Sequence, residues 1–193
     1  MREMLEAMAG IGLPGTQAAD LDAAKLRQAA SLASQVGGPE RLTLFLADAF
    51  RVPVKLKEFV AAWLPVPAHL QTRLGGEHAA LGRSATIGPR SFTRQSRIEV
   101  EIGPLGYEDF MNFLPGGKRL ALMKQAIRDL IGEVLDVDLR VVLAEKAVPP
   151  PVIGTVQLGR NAWLARPAES GDAGDMRMRT VVGWRPEPSE VMA

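Results

Sequence analysis

One order of elements occurs twice in this chain. Residues 40–59 read ERLTLFLADAFRVPVKLKEF, which is an amphipathic helix, a tight junction and a strand. Residues 118–145 read KRLALMKQAIRDLIGEVLDVDLRVVLAE, the same order with a longer helix. Each unit then enters a long Pro/Gly-rich segment. Each segment carries a Leu-Gly-Arg tripeptide, Leu81-Gly82-Arg83 and Leu158-Gly159-Arg160. A duplicated unit with a duplicated loop points to two similar attachment points. That is the layout of an assembly part more than of an enzyme built around one pocket.

The chain has 193 residues, enough for one domain or two small ones. A hydrophobic content of 47% permits a packed core, and 5% aromatics means that Leu, Val, Ile and Ala must build most of it. The formal net charge of +1 argues against strong electrostatic binding of nucleic acid, which requires several phosphates to be neutralised. No cysteine is present, so disulfides, thiol catalysis and Cys-ligated metals are excluded. The opening MREMLEAMAG lacks the apolar stretch of a signal peptide. No run reaches the roughly 18–20 apolar residues of a membrane helix. The expectation is a soluble, intracellular chain without membrane insertion.

Periodicity places the elements. Residues 2–9 and 21–36 read as helices, the second with Asp20 as N-cap and Gly37-Gly38 as stop. Pro39 suits the first turn of the next helix, whose Leu42, Phe45, Leu46 and Ala49 form one apolar stripe. Val52, Val54 and Leu56 then alternate with Lys55 and Lys57 as a half-buried strand, with Pro53 favouring an edge. Residues 64–96 show no clean period but hold small apolar side chains, so an ordered arm is expected. Residues 97–103 are a strand, with Ile98, Val100 and Ile102 facing away from Arg97, Glu99 and Glu101. Residues 107–114 read as a short helix with Phe110, Phe113 and Leu114 inward. Leu120, Met123, Ile127, Leu130, Ile131 and Val134 keep helical spacing over four turns. Val137, Leu139, Val141 and Leu143 give a further strand. Pro149-Pro150-Pro151 is a stiff spacer, residues 169–175 read as mobile, and residues 181–184 as a last short strand.

The expected organisation is an N-terminal helical segment (1–38), a first helix–strand repeat with its long loop (39–117), a second repeat with its loop (118–168), and a flexible polar tail (169–193). The expected class is α+β, with small antiparallel sheets and two long extended loops.

No catalytic constellation emerges. His69 and His78 lack ligand spacing, and the adjacent Glu77-His78 cannot chelate from one face. Arg73-Leu74-Gly75-Gly76 is followed by no GK[ST] and is no phosphate loop. Ser84, Ser91 and Ser96 lack a nucleophile elbow. Glu99 with Glu101, and Asp136 with Asp138, read as solvated strand faces, and Glu133 as a solvated helix residue. Arg90, Arg94 and Arg97 around Phe92 make a small basic cluster, better suited to protein contact or ion pairs than to nucleic acid. Trp63 and Trp163 hold corresponding places after each repeat's strand. Core anchoring is expected for Trp63, while Trp163 is open between anchor and interface. No catalytic, cofactor or metal residue is assigned.

The run GPRSFTRQSRIEVEIGPLGYEDFMNFLPGG, residues 88–117, resembles the TssG family (also ImpH or VasB) of the type VI secretion baseplate. The residues that carry the resemblance are Gly88, Arg90, Phe92, Arg94-Gln95-Ser96, Gly103-Pro104-Leu105 and Phe113-Leu114-Pro115-Gly116-Gly117. FVAAWLPVP (59–67), ALGRSATIG (80–88) and EVLDVDLRVVLAEKAVPP (133–150) follow the family in the same order, so the resemblance spans roughly residues 38–164. The family is longer, so the chain reads as its C-terminal part or a shortened member. Arg160 stands where the family commonly has tryptophan, and residues beyond 166 fall outside the resemblance.

The resemblance implies a structural, non-catalytic adaptor of the baseplate wedge, in the cytoplasm at the membrane-proximal baseplate. It implies binding to TssF and recruitment of TssK trimers through two extended loops, with TssE and the hub nearby. By position, the residues touching TssK would be Leu81, Gly82, Arg83, Ile87 and Gly88 in the first loop. In the second they would be Leu158, Gly159, Arg160, Trp163 and Leu164. Two other classes compete: a small cytoplasmic α/β enzyme, which would need titratable groups converging in a cleft, and a nucleic-acid module using Arg90, Arg94 and Arg97, which would show steep salt dependence.

Overall fold

The computed structural model describes residues 24–27, 38–73, 75–150, 152, 157–163 and 170–183. The expected helix at 2–9 lies outside them. Of the expected helix at 21–36, residues 24–27 are described and are helical.

Pro39 opens α1 (Pro39–Phe50), which buries Leu42, Phe45, Leu46 and Phe50. Proline is suited to this place because its missing N–H is one that a first turn leaves unbonded anyway. Strand β1 (Val54–Lys57) leads to a short ribbon, β2 (Ala62–Pro65) and β3 (Arg90–Thr93), and then to β4 (Arg97–Leu105). Next come α2 (Tyr107–Asn112), α3 (Lys118–Ile131), β5 (Asp136–Leu143) and β6 (Ala173–Val182).

The α+β class is as the sequence indicates. The main sheet has the order β1-β4-β5-β6, and β2-β3 stands apart as a two-stranded ribbon. The pairs β1–β4, β5–β6 and β2–β3 are antiparallel, but β4–β5 is parallel. The expectation of small antiparallel sheets therefore misses the centre of the main sheet. A parallel neighbour needs a crossover, and α2 and α3 supply it between β4 and β5.

One face of the sheet is apolar. Leu56, Val100, Leu139 and Met178 lie in one cross-strand row, and Val54, Ile102, Val141 and Met176 in the next. Val100, Ile102, Leu139 and Val141 are fully buried. They form one core with Phe45 and Leu46 of α1, Phe110 of α2, and Met123 and Ile127 of α3. The helical residues 24–27 join this core through Ala24. Lys25, 3% exposed, donates to Asp129 of α3 at 2.7 Å. Arg119 of α3 donates to the Phe50 carbonyl and to Asp109, with its guanidinium 5.0 Å from the Phe113 ring centre. One cation thus joins the C-terminal end of α1 to α2.

Three expectations are corrected. Val134 is 85% exposed, because α3 ends at Ile131 and Gly132 (φ +66) turns the chain out of the helix before the apolar stripe is complete. The tail assigned to 169–193 contains a ten-residue strand, β6, whose Ala173 is buried. The stretch 169–175, read as mobile, includes its start. The division into 39–117 and 118–168 also cuts through one sheet, because β4 of the first unit pairs with β5 of the second.

Gly103 sits where the two units meet. Its φ is +124, and a Cβ there would lie 2.4 Å from the Val142 carbonyl oxygen. Gly103→Ala would combine backbone strain with a backbone clash, so a loss of about 2–4 kcal/mol is expected. Urea unfolding should show a lower midpoint with an unchanged slope. A loss below about 1 kcal/mol would mean that the two strands part easily at this point.

Candidate functional site: two arms at opposite poles of the sheet

Each repeat turns out larger than helix plus strand. In both, a helix leads to a strand, a long arm follows, and an antiparallel partner strand returns. The first unit is α1–β1–arm–β4, and the second is α3–β5–arm–β6. Each arm is an insertion between the two strands of an antiparallel pair.

The parallel centre decides where the arms emerge. The first arm enters β4 at Arg97, which pairs with Asp136, the first residue of β5. The second arm leaves β5 after Leu143, which pairs with Leu105, the last residue of β4. The arm roots therefore lie at opposite ends of the same two strands, about 25 Å apart at the usual rise per residue.

The arm tips share a turn. In the first, the Ala80 carbonyl accepts from the backbone N–H of Arg83 (3.2 Å) and Ser84 (3.0 Å). In the second, the Gln157 carbonyl accepts from Arg160 (3.1 Å) and Asn161 (3.2 Å). Gly82 (φ +77) and Gly159 (φ +75) occupy the third turn position, where a type II turn needs positive φ. The leucine before each glycine is pushed to the apex: Leu81 is 91% exposed and Leu158 94%. Arg83 and Arg160 are exposed beside them. Ile87 is 96% exposed, followed by Gly88 at φ +87.

The arms are held differently. In the first, the Thr72 hydroxyl donates to the His78 carbonyl (2.9 Å) and accepts from the Thr86 N–H (2.8 Å). Val66 donates to the Pro89 carbonyl at 2.9 Å, closing the stem. The second turn is pinned to α2. Asn161, 2% exposed, accepts from the Gln157 N–H at 2.6 Å and donates to the Tyr107 hydroxyl at 3.1 Å. Trp163 is half-buried and packs on Phe110, ring centres 5.6 Å apart. Leu164 lies outside the described residues.

Sequence reasoning missed the first arm's stem. Trp63, expected as a core anchor, is 63% exposed. It points outward because Ala62 takes the buried position of β2, and strand alternation sends the next residue to the opposite face. The carboxylates expected to be solvated form an ion-pair lattice on the sheet's polar face. Arg97 pairs with Asp136 (3.0 Å) and Asp138 (3.6 Å). Arg140 pairs with Glu101 (2.8 Å) and Arg177 with Glu99 (3.7 Å). Glu99 and Asp138 are buried. Arg97 is thus occupied inside the sheet, and the basic cluster Arg90, Arg94, Arg97 loses one of its three members. Among the described residues, no group of three or more His, Cys, Asp or Glu side chains is placed to hold a metal ion. Within the same residues, no helix is long and apolar enough to cross a membrane.

A single scaffold thus projects two like turns from opposite ends of its parallel strand pair, an α+β protein with a duplicated arm. The chain belongs to the TssG family of type VI secretion, whose family model matches residues 1–165. Among curated proteins, none matches the chain. Two solved structures are similar. One is a chain of the type VI secretion TssK-TssF-TssG baseplate subcomplex, seen by cryo-electron microscopy. It is 20% identical at a TM-score of 0.65, over 96% of this chain and 80% of that one. The other belongs to the baseplate complex of the type VI secretion system. It is 18% identical at a TM-score of 0.55, over 83% of this chain and 47% of that one. At these identities the likeness is one of fold.

Proposed function

We propose that this chain is a non-catalytic adaptor of the type VI secretion baseplate, binding TssF and recruiting TssK trimers through its two arms. The observation that carries the reading is the duplicated Leu-Gly-Arg turn, which exposes Leu81 and Leu158 at opposite poles of one sheet. An apex leucine more than nine-tenths exposed gains nothing for the fold, whereas covering it with a partner removes apolar surface from water. The TssG family membership and the TssK-TssF-TssG subcomplex among the similar structures support these partners. Roots about 25 Å apart suit two separate contacts. Once one arm is bound, the other meets its site at a raised effective concentration, so two weak contacts make a firm attachment. The setting in this reading is the cytoplasmic baseplate.

Leu81→Asp and Leu158→Asp, singly and together, test it by capture of TssK on the full chain. Burying a leucine is worth about 1.5–3 kcal/mol. Each single change should therefore weaken capture about ten- to a hundredfold, and the double change should abolish it. Undiminished capture by the double variant would remove the arms from TssK binding.

A further inference from the structure

We infer that the β2–β3 ribbon at the stem of the first arm is a docking face for an acidic surface on a folded protein partner, a contact separate from the arm's tip. The inference rests on the adaptor reading above and distinguishes the two arms chemically.

The ribbon has an inner and an outer face. Ala62 is buried, and Leu64 and Thr93 are half-buried on its inner side. Trp63 and Phe92 are register partners on the outer side. Their rings meet edge to face, centres 5.3 Å apart at 62°, yet they remain 63% and 51% exposed. This geometry holds the two rings against each other while leaving both available to a partner. Exposed aromatic side chains beside arginines are the residue types that dominate binding energy at protein interfaces.

The charge around this pair is one-sided. Arg90 lies two residues before Phe92, on the same face of β3, and Arg94 follows two residues after it. Both are exposed, and neither takes part in an ion pair among the described residues. From Phe59 to Ile98 the chain contains one acid, Glu77, against Arg73, Arg83, Arg90, Arg94 and Arg97. Arg97 is neutralised by Asp136 and Asp138. On the main sheet Arg140 is matched by Glu101 and Arg177 by Glu99, whereas Lys57 and Arg179 take part in no ion pair among the described residues. The arm thus carries a local excess of positive charge, with Arg73, Arg83, Arg90 and Arg94 outside any ion pair among the described residues, in a chain whose net charge is only +1.

The second arm lacks this device. Between β5 and β6, Lys146, Arg160 and Arg166 are balanced by Glu145, Glu169 and Asp172. Its tryptophan, Trp163, is turned onto Phe110 instead of outward. The tips match and the stems do not. An acidic protein surface fits the first stem better than nucleic acid does. Edge-to-face rings offer no parallel platform for stacked bases, and two free arginines neutralise few phosphates.

The test uses the full chain immobilised against purified TssK, purified TssF and a single-stranded oligonucleotide, each at low and high salt. Arg90→Glu with Arg94→Glu should weaken one of the two proteins about tenfold or more at low salt and flatten its salt dependence. Trp63→Ser with Phe92→Ser should weaken the same partner at both salt levels. Leu158→Asp should leave the salt dependence as it is. All the substituted residues are exposed, and an unchanged circular dichroism spectrum verifies folding. Partner binding that neither ribbon variant alters would overturn the docking face and leave the adaptor reading standing. Failure of the unaltered chain to bind either protein would overturn both. Salt-steep oligonucleotide binding that the ribbon variants abolish would overturn the protein partner in favour of nucleic acid.

Discussion

Replacing Arg97 with methionine is expected to destabilise the fold by about 3–5 kcal/mol, although Arg97 belongs to no helix and is not part of the apolar core. Its guanidinium sits between Asp136 and Asp138, with side-chain exposures of 17% for the arginine and 12% for each aspartate. It also reaches the Thr180 hydroxyl at 3.5 Å, while Asp138 accepts the Thr180 N–H at 2.8 Å. Three strands, β4, β5 and β6, are thus joined through one cation. Methionine keeps most of the side chain's length but leaves two carboxylates close together and poorly hydrated. The cost comes from that uncompensated charge more than from lost attraction. Changing Asp136 and Asp138 to asparagine in the Arg97→Met background should therefore recover a large part of the stability. Equilibrium urea unfolding of the single and triple variants measures both quantities. If the triple variant were no more stable than Arg97→Met, packing around the guanidinium stem would be responsible instead.

The second large effect is expected at Phe110. This ring is fully buried between the sheet and the helices and supports Trp163 of the second arm. Phe110→Ala should cost about 3–5 kcal/mol, the usual range for removing a buried ring. It should also loosen the second arm, because Trp163 loses its partner and α2 carries the Tyr107 hydroxyl that receives Asn161. Brief tryptic digestion under native conditions reads the local effect through cleavage after Arg160, at the exposed turn. Cleavage there should accelerate in Phe110→Ala by more than cleavage after Arg83 in the first arm, whose Thr72 bonds are internal. Equal acceleration at both sites would mean that global unfolding alone exposes them. Tyr107→Phe removes one hydroxyl and should loosen the second arm with little loss of global stability.

The elements with a clean period were legible. The stripe of α1, the alternation of β4 and β5, and the inward Phe110, Phe113 and Leu114 follow from local spacing, and all three of those side chains are buried. The duplicated Leu-Gly-Arg was visible as a motif, and glycine at the third position of a turn has a local reason that a sequence carries. Other features were hidden because they depend on partners distant in sequence. Glu99 and Asp138 look like solvated charges until Arg177 and Arg97 are seen opposite them. Which face of β2 is buried, and so the outward turn of Trp63 beside Phe92, twenty-nine residues later by number and directly across the ribbon, is set by how the ribbon packs. One miss had a usable signal. Met176-Arg177-Met178-Arg179 alternates with the period of a strand, and that pattern marks β6 within a stretch otherwise small and polar.

By itself, then, the sequence determined a chain of two helix–strand units, each followed by an arm with a Leu-Gly-Arg turn. Those features are written in spacing and in the backbone freedom of single glycines. Only the tertiary structure decided that the units share one sheet with a parallel centre. That pairing sends the arms to opposite poles, because the start of β4 and the end of β5 are opposite ends of a parallel pair. It also decided which charges are spent inside the sheet and which stay free on the first arm, since an ion pair depends on distance in space and not on distance along the chain.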